Sequence, residues 1–274
     1  MTSYENILTV KNLCKGFKRK NHKITAGDHL NFYLKKGEIL GIVGESGSGK
    51  STLAKLLMHI EQPDHGEIKI CGKRYSDLKG EELRMQRKNI QMIFQDPISS
   101  MNPKKRVKDI ISEPLLNYKL IKKNQVHDKV VELLKAVELN ETFLDKYPHS
   151  MSGGEAQRVA IARAISIEPQ ILLCDEATSA LDVSVQKNIV DTLFRLNKEL
   201  GISIIFISHD IFLTQFIANR IIVMKNGCIV ETMNKDEFYT DNHMEYTNML
   251  INSATILNKN LTSHQMHLKG RNII

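Results

Sequence analysis

The 274-residue chain carries 38 Lys and Arg against 31 Asp and Glu, a net charge of +7, with 42% apolar and 25% charged residues. These are ordinary globular values, which exclude wholesale disorder, and no stretch approaches the ~18–20 uninterrupted apolar residues of a membrane span. The length allows one large domain or two small ones.

Met1–Asn6 shows no basic segment followed by an apolar one, so no secretory signal is expected. The cysteines Cys14, Cys71, Cys174 and Cys228 show no C-x-x-C spacing, which points to reduced thiols rather than a zinc or redox motif. Basic residues crowd into Lys11–Lys23 and Lys104–Lys108. Nucleic acid, an anionic membrane surface and a solvated face are all compatible with such clusters.

In chain order, the first ninety residues read mainly as strands: Ile7–Asn12, Asp28–Leu34, Glu38–Val43, Gly66–Cys71 and Ile90–Phe94, with a helix over Leu53–Ile60. From Pro97 to Ser150 turn residues give way to helical periodicity. Val130, Leu133, Leu134 and Val137 share one face of a helix over Val126–Leu139. Gly153–Ile167 is helical and ends at Pro169. Strand and helix then alternate: Ile171–Cys174, Val183–Leu200, Ile202–Ile207 and Ile211–Ala218. Arg220–Met224 and Cys228–Thr232 flank the hairpin signal Asn226-Gly227. From Met244 the chain reads as helical at first, then as a polar and basic tail expected to fray; that tail, from 256 on, lies outside the residues that the structure describes. The pattern predicts an α/β body with a parallel sheet and an inserted helical segment.

Gly44-Glu-Ser-Gly-Ser-Gly-Lys-Ser-Thr52 matches the phosphate-loop pattern G-x-x-x-x-G-K-[ST] between a strand and a helix. Its glycines let backbone N–H groups wrap a phosphate, and the following helix aims its positive end at the anion. Gly44, Glu45, Ser46, Gly47, Ser48, Gly49, Lys50, Ser51 and Thr52 are therefore the expected nucleotide-binding residues. Lys50 would reach the β- and γ-phosphates and Ser51 would ligate Mg²⁺. Asp175 and Glu176 close an apolar strand. Alternation predicts that they face opposite sides, Asp175 toward Mg²⁺ and Glu176 toward an attacking water. Met151-Ser-Gly-Gly-Glu-Ala-Gln-Arg158 opens a helix with Ser152, Gly153 and Gly154. Taken alone it reads equally as a second anion site, completed by a head-to-tail partner, and as an N-cap with Glu155 in a capping box.

Together these motifs make residues 5–250 resemble the ATP-binding subunit of an ABC transporter, with Met151–Arg158 similar to the signature L-S-G-G-Q-x-Q-R apart from Met151 and Glu155. The resemblance implies a P-loop NTPase (RecA-like) α/β core over 5–95 and 168–240. It also implies an N-terminal antiparallel β subdomain, a helical and signature subdomain over 96–167, and a C-terminal extension over 241–274. It assigns Gln95 to sensing Mg²⁺ and water, Asp182 to the dimer contact, His209 to the γ-phosphate, and Ser152–Glu155 to the partner's nucleotide. Phe17 is the better candidate for stacking on adenine, with Tyr4 as its rival.

The implied cofactors are ATP and Mg²⁺. The implied partners are a second, non-identical cassette, two permease subunits and, indirectly, an extracytoplasmic binding protein, with no nucleic acid, at the cytoplasmic side of the membrane. Gln95-Asp-Pro-Ile-Ser-Ser-Met-Asn-Pro-Lys104 resembles the Q-D-P-x-x-S-L-N-P-R stretch of dipeptide, oligopeptide and nickel importers. The blocks Lys88–Gln95, Leu134–Leu139 and Asn226–Thr232 look nearest to the nickel-importing ATPase. Asn242–Thr247 is only loosely similar to the H-P-Y-T of peptide importers, and no cysteine follows Cys228. The competing reading is a soluble ABC-type ATPase acting on nucleic acid or ribosomes. Against it, only 125 positions separate Lys50 from Asp175, with no heptad run between, and one cassette is present.

Overall fold

The computed structural model describes residues 6–19, 22–240 and 242–255, with side chains of 18, 19, 22 and 23 left aside. Its strands are β1 (Asn6–Arg19), β2 (His22–Lys35), β3 (Ile39–Val43), β4 (His65–Ile70), β5 (Lys73–Arg74), β6 (Ile90–Ile93), β7 (Ile171–Asp175), β8 (Ser203–Ser208), β9 (Arg220–Lys225) and β10 (Cys228–Asn234). The helices are α1 (Lys50–Leu57), α2 (Gly80–Gln86), α3 (Val107–Asn117), α4 (Val126–Ala136), α5 (Gly153–Ile165), α6 (Val183–Leu200) and α7 (Ile211–Ile217). A further helix, α8, runs over 245–255. None of the helices among the described residues is long and apolar enough to cross a membrane.

Two sheets result. One is antiparallel, in the order β2-β1-β4-β5; the other runs β10-β9-β3-β8-β7-β6. In the larger sheet β9, β3, β8, β7 and β6 pair in parallel, and β10 pairs antiparallel with β9 at the edge. Strand alternation explains why its central strands are apolar throughout. Ile39, Leu172, Cys174, Ile204 and Phe206 pack into one core with α3 to α6. Their neighbours Leu40, Ile42, Ile171, Leu173, Ile205 and Ile207 point the other way, into a second core with Leu53, Ala54, Leu56 and Leu57 of α1 and the antiparallel sheet. A sheet covered on both faces has no place for polar alternation.

The ends of α1 depart from the expected Leu53–Ile60. The helix begins at Lys50 because Gly49, at φ 106°, is its N-cap, and it stops where His59 turns to φ 54°. The strand-rich reading of the first ninety residues is corrected by α2, a short charged helix held by Glu81 and Arg84, whose guanidinium donates twice at 2.7 Å. Polar residues dominate α2, so apolar periodicity could not mark it. Pro114 lies inside α3, which helical-propensity reasoning would have broken.

Candidate functional site

Parallel pairing sets the site. β3 aligns Val43 with Ser208 of β8, and β7 aligns Asp175 with Ile207. The loop starting at Gly44, the pair Asp175–Glu176 and His209 therefore leave neighbouring strand ends on one edge of the sheet. β6 aligns Ile93 with Cys174, which brings Gln95 to the same edge. Ligands in open α/β sheets bind at this carboxyl edge, where strand order reverses.

The phosphate loop is tightly seated. A Cβ at Gly44 would stand 2.2 Å from the Met224 carbonyl, and one at Gly49 2.3 Å from that of Ala26. Lys50 is 5% exposed and donates to the Gly44 and Glu45 carbonyls (2.7 and 2.9 Å) and to Ser48 Oγ (3.3 Å). Burial lowers its pKa, opposed by the charges of Glu176, Asp175 and Glu45. A cavity of about 290 Å³ opens over the loop, lined by Ser46, Gly47, Gly49 and Lys50 to Thr52, with Phe17, Ile24, Thr25, Ala26 and Glu176 completing it. Phe17 thus lies beside the loop, half-buried, with the Lys15 ammonium 5.4 Å from its ring centre. Tyr4 falls outside the described residues.

Asp175 and Glu176 do not continue one strand alternation, and of the two only Glu176 lines the cavity over the loop. Asp175 is the last residue of β7, whereas Glu176 has left the strand at φ 48° while its N–H still donates to the Ile207 carbonyl (3.0 Å). Burial, reinforced by Glu176 and opposed by Lys50 and Lys55, raises the Asp175 pKa. Its Oδ1 is buried with no hydrogen-bond partner, an orphaned acceptor of the kind a hard cation satisfies. The donor set of Asp175 and the exposed Ser51 hydroxyl fits Mg²⁺ on this ground. Glu176 Oε1 lies 3.8 Å from His209 Nδ1 on an imidazole that is 60% exposed. Cys174 is fully buried, and burial pushes its thiol pKa far up, so it is inert packing.

Gln95 is exposed beyond the end of β6 and does not line the cavity. The segment after it is braced: Asp96 Oδ1 accepts from the Ile98 and Ser99 amides, and Arg163 of α5 donates to the Ser100 carbonyl and Oγ.

Ser152 and Glu155 form the reciprocal capping box of α5. The Ser152 N–H donates to Glu155 Oε2 (2.7 Å) and the Glu155 N–H to Ser152 Oγ (3.3 Å). The two glycines also have a packing reason. A Cβ on Gly154 would meet Val185 Cγ1 at 2.6 Å, and one on Gly153 would meet Leu181 Cδ2 at 3.1 Å. Asp182 caps α6 by accepting from the Val185 amide, and the Ser184 hydroxyl bond, followed by that amide, lowers its pKa. Ser152 to Glu155 do not line the cavity above the phosphate loop.

One contact to the loop was not legible as such. The Glu45 N–H donates to the Tyr246 hydroxyl (3.2 Å), and the Lys225 ammonium sits 4.4 Å from the same ring. His243 and Glu231 pair beneath it at 2.8 Å. The stretch Asn242–Thr247 is thus a strap tied to the phosphate loop at Tyr246 and to β10 at His243. The basic run at 104–108 is partly neutralised within the chain, Lys105 by Glu113 and Arg106 by Asp145.

The ABC transporter family model matches residues 28–179. The chain is 40% identical over 257 residues to the oligopeptide transport ATP-binding protein AppF of Bacillus subtilis, covering 93% of this chain and 78% of that one. It is 38% identical, with the same coverage, to the dipeptide transport ATP-binding protein DppF of Haemophilus influenzae. Among solved structures it is similar to the dimeric cassette MJ0796 bound to ADP and Pi, at TM-score 0.76 and 33% identity over 83% of this chain and 98% of that one. It is also similar to CbiO1 of Clostridium perfringens, at TM-score 0.78 and 29% identity over 97% and 100%. The chain belongs to the ABC transporter family, in the group of ATP-binding ATPase subunits that includes these oligopeptide and dipeptide transport proteins.

Proposed function

We propose that this chain hydrolyses ATP to drive the uptake of oligopeptides or dipeptides through separate permease subunits at the cytoplasmic face of the membrane. The observation that carries the reading is that the phosphate loop, Asp175, Glu176 and His209 follow neighbouring strand ends on one edge of the parallel sheet, with Glu176 lining the cavity over the loop. The names of the relatives supply the cargo class. Nickel, to which several sequence blocks are similar, is the second reading, though none of the relatives cited is named for it. A role on nucleic acid or ribosomes has no support among those relatives.

Gly44–Thr52 binds the phosphates through backbone N–H groups, with Lys50 moving from loop carbonyls to phosphate oxygens. Phe17 packs against adenine. Asp175 and Ser51, joined by Gln95 from the neighbouring strand end, would hold Mg²⁺, which would supply neutralising charge at the phosphates. Glu176 accepts a proton from the attacking water, and His209 contacts the γ-phosphate. Catalysis is positioning and charge stabilisation. Ser152, Gly153, Gly154 and Glu155 complete the nucleotide site of a second, non-identical cassette, with Asp182 at the contact. The helical segment 96–167 receives the permeases, and a binding protein outside the membrane delivers the cargo.

The test is Glu176→Gln in this chain, assayed in complex with its partner cassette. It keeps the shape of the side chain and removes its basicity, so turnover should fall by about 10²–10⁴-fold while ATP binding persists and a dimer accumulates. Turnover within threefold of the parent would refute the role of Glu176. Uptake of labelled dipeptide, oligopeptide and nickel by a deletion strain assigns the cargo.

A further inference from the structure

The spacing of the four cysteines contains no metal motif, yet the fold sets Cys14 beside Asp28 and His29, with the Cys228 thiol against the second oxygen of the Asp28 carboxylate. Cys14 lies on β1, Asp28 and His29 on β2, and Cys228 opens β10. Ligand atoms of Cys14, Asp28 and His29 all lie within 4.8 Å of one another. His29 Nδ1 is 2.6 Å from Asp28 Oδ1, and the Cys228 thiol stands 4.0 Å from the other carboxylate oxygen. The His29 backbone N–H donates to Cys14 Sγ at 3.4 Å, which holds that sulfur over the turn of β2.

Two sulfurs, an imidazole and a carboxylate make a donor set for a borderline-soft ion and a poor one for Mg²⁺ or Ca²⁺, which choose oxygen. Four-coordinate zinc with bonds of about 2.0–2.3 Å sets its donor atoms roughly 3.3–3.8 Å apart. Cys14, Asp28 and His29 therefore need side-chain shifts of about 1 Å to close, and Cys228, whose thiol lies outside their 4.8 Å group, needs a larger one. Closing exchanges the Cys14 contact with the Asn12 carbonyl (3.6 Å) and the His29–Asp28 bond for metal bonds. Cys14 and Cys228 are half-buried, and Asp28 and His29 are exposed, which leaves the ion an entry path.

We propose that Cys14, Asp28, His29 and Cys228 form a tetrahedral site for a divalent transition ion of the zinc class, apart from the Mg²⁺–nucleotide site. Its position gives it a structural consequence. The Asp28 N–H donates to the Gly227 carbonyl (2.8 Å), and the Gly227 N–H donates to the Ser48 carbonyl in the phosphate loop (2.9 Å). A bound ion ties the β1–β2 hairpin to the turn between β9 and β10, which backs that loop.

The experiment uses the full-length, tag-free chain, reduced and stripped of metal, titrated with Co²⁺ and then Zn²⁺. The expected result is one Co²⁺ per chain, with a thiolate-to-cobalt charge-transfer band and strong tetrahedral d–d bands, both abolished by Zn²⁺. A hundredfold excess of Zn²⁺ over its Kd should raise the thermal midpoint by about 5 °C. Cys14→Ser, Cys228→Ser and His29→Ala should each weaken Zn²⁺ at least tenfold.

A readout on the unaltered chain guards against a variant that misfolds. Zn²⁺ should slow alkylation of Cys14 and Cys228, followed by mass spectrometry, and leave Cys71 unchanged. Co²⁺ binding with no sulfur band, or equal alkylation of Cys14 with and without Zn²⁺, would overturn the site. Retention of full affinity by folded Cys14→Ser and His29→Ala variants would do the same.

Discussion

Gly47 and Gly49 both lie in the phosphate loop at positive φ, 83° and 106°, yet their surroundings differ. A Cβ at Gly47 has no atom within 4 Å, so Gly47→Ala in the nucleotide-free chain carries only the backbone strain, about 1–2 kcal/mol. A Cβ at Gly49 lands 2.3 Å from the Ala26 carbonyl oxygen and 3.3 Å from Gly227 Cα, both backbone atoms that cannot rotate away. Relief requires moving the start of α1 or the Ala26 segment by about 1 Å, an overpacking cost of roughly 1–3 kcal/mol on top of the strain. The difference between the two variants is thus about 1–3 kcal/mol. At about 2–4 °C per kcal/mol for a chain of this size, Gly49→Ala should melt some 2–12 °C below Gly47→Ala. Differential scanning fluorimetry without nucleotide measures this directly, because a bound phosphate would add its own clash at Gly47. Equal melting points would show that contact with Ala26 does not constrain the loop.

Two further outcomes follow from buried pairs. Glu38 and Arg220, with side chains 8% and 10% exposed, join the starts of β3 and β9 through bonds of 2.8 and 3.2 Å. Arg220→Met leaves the Glu38 carboxylate uncompensated and should cost about 3–5 kcal/mol in urea unfolding. Adding Glu38→Met should recover part of that loss; if the double variant is no better than the single one, the cost is not an orphaned charge. His243 places both ring nitrogens against acceptors, Glu231 Oε1 at 2.8 Å and the Phe238 carbonyl at 3.1 Å, which only the doubly protonated ring satisfies. Burial pushes its pKa down, but the bonds to Glu231 and Phe238 outweigh it, and the net value lies above the ordinary 6.5. Burial likewise pushes Glu231 up, yet its bonds carry it below the ordinary 4.5. The histidine's contribution is therefore full below pH 6.5 and lost as pH rises through its elevated value. The carboxylate's is present above pH 4.5 and lost as pH falls through its depressed value. Hydrogen exchange of the α8 amides should accelerate more between pH 6 and 9 than the chemical rate alone dictates, and His243→Gln should remove that excess. An unchanged excess in His243→Gln would refute the strap.

Much of the architecture was local and therefore readable. Strands β7 and β8 announce themselves as apolar runs because both faces of the sheet are covered, and α6 shows its one buried face at Ile189, Leu193 and Leu196. The phosphate loop is legible because the glycine conformations it needs are built into adjacent residues. Helix α2 was not, since it docks through Leu83 and the buried Gln86 and so has no periodic apolar face.

Separation in sequence explains what the chain order by itself could not decide. Asp175 and Glu176 were visible as a pair, but chain order did not show that Glu176 leaves the strand at φ 48° while its N–H still bonds β8. The glycines of the signature could be read as an anion site or a helix cap. Only the structure adds that Gly154 is small because Val185 of α6 passes within 2.6 Å of where its Cβ would be. Tyr246 bonds a loop residue 201 positions away, and Asp28 stands 4.0 Å from Cys228 across 200. The sequence determined which chemistry the chain carries, because turns, caps and strand alternation are set by near neighbours. The tertiary structure decided which distant residues share that chemistry, because parallel strand register and sheet order bring them together.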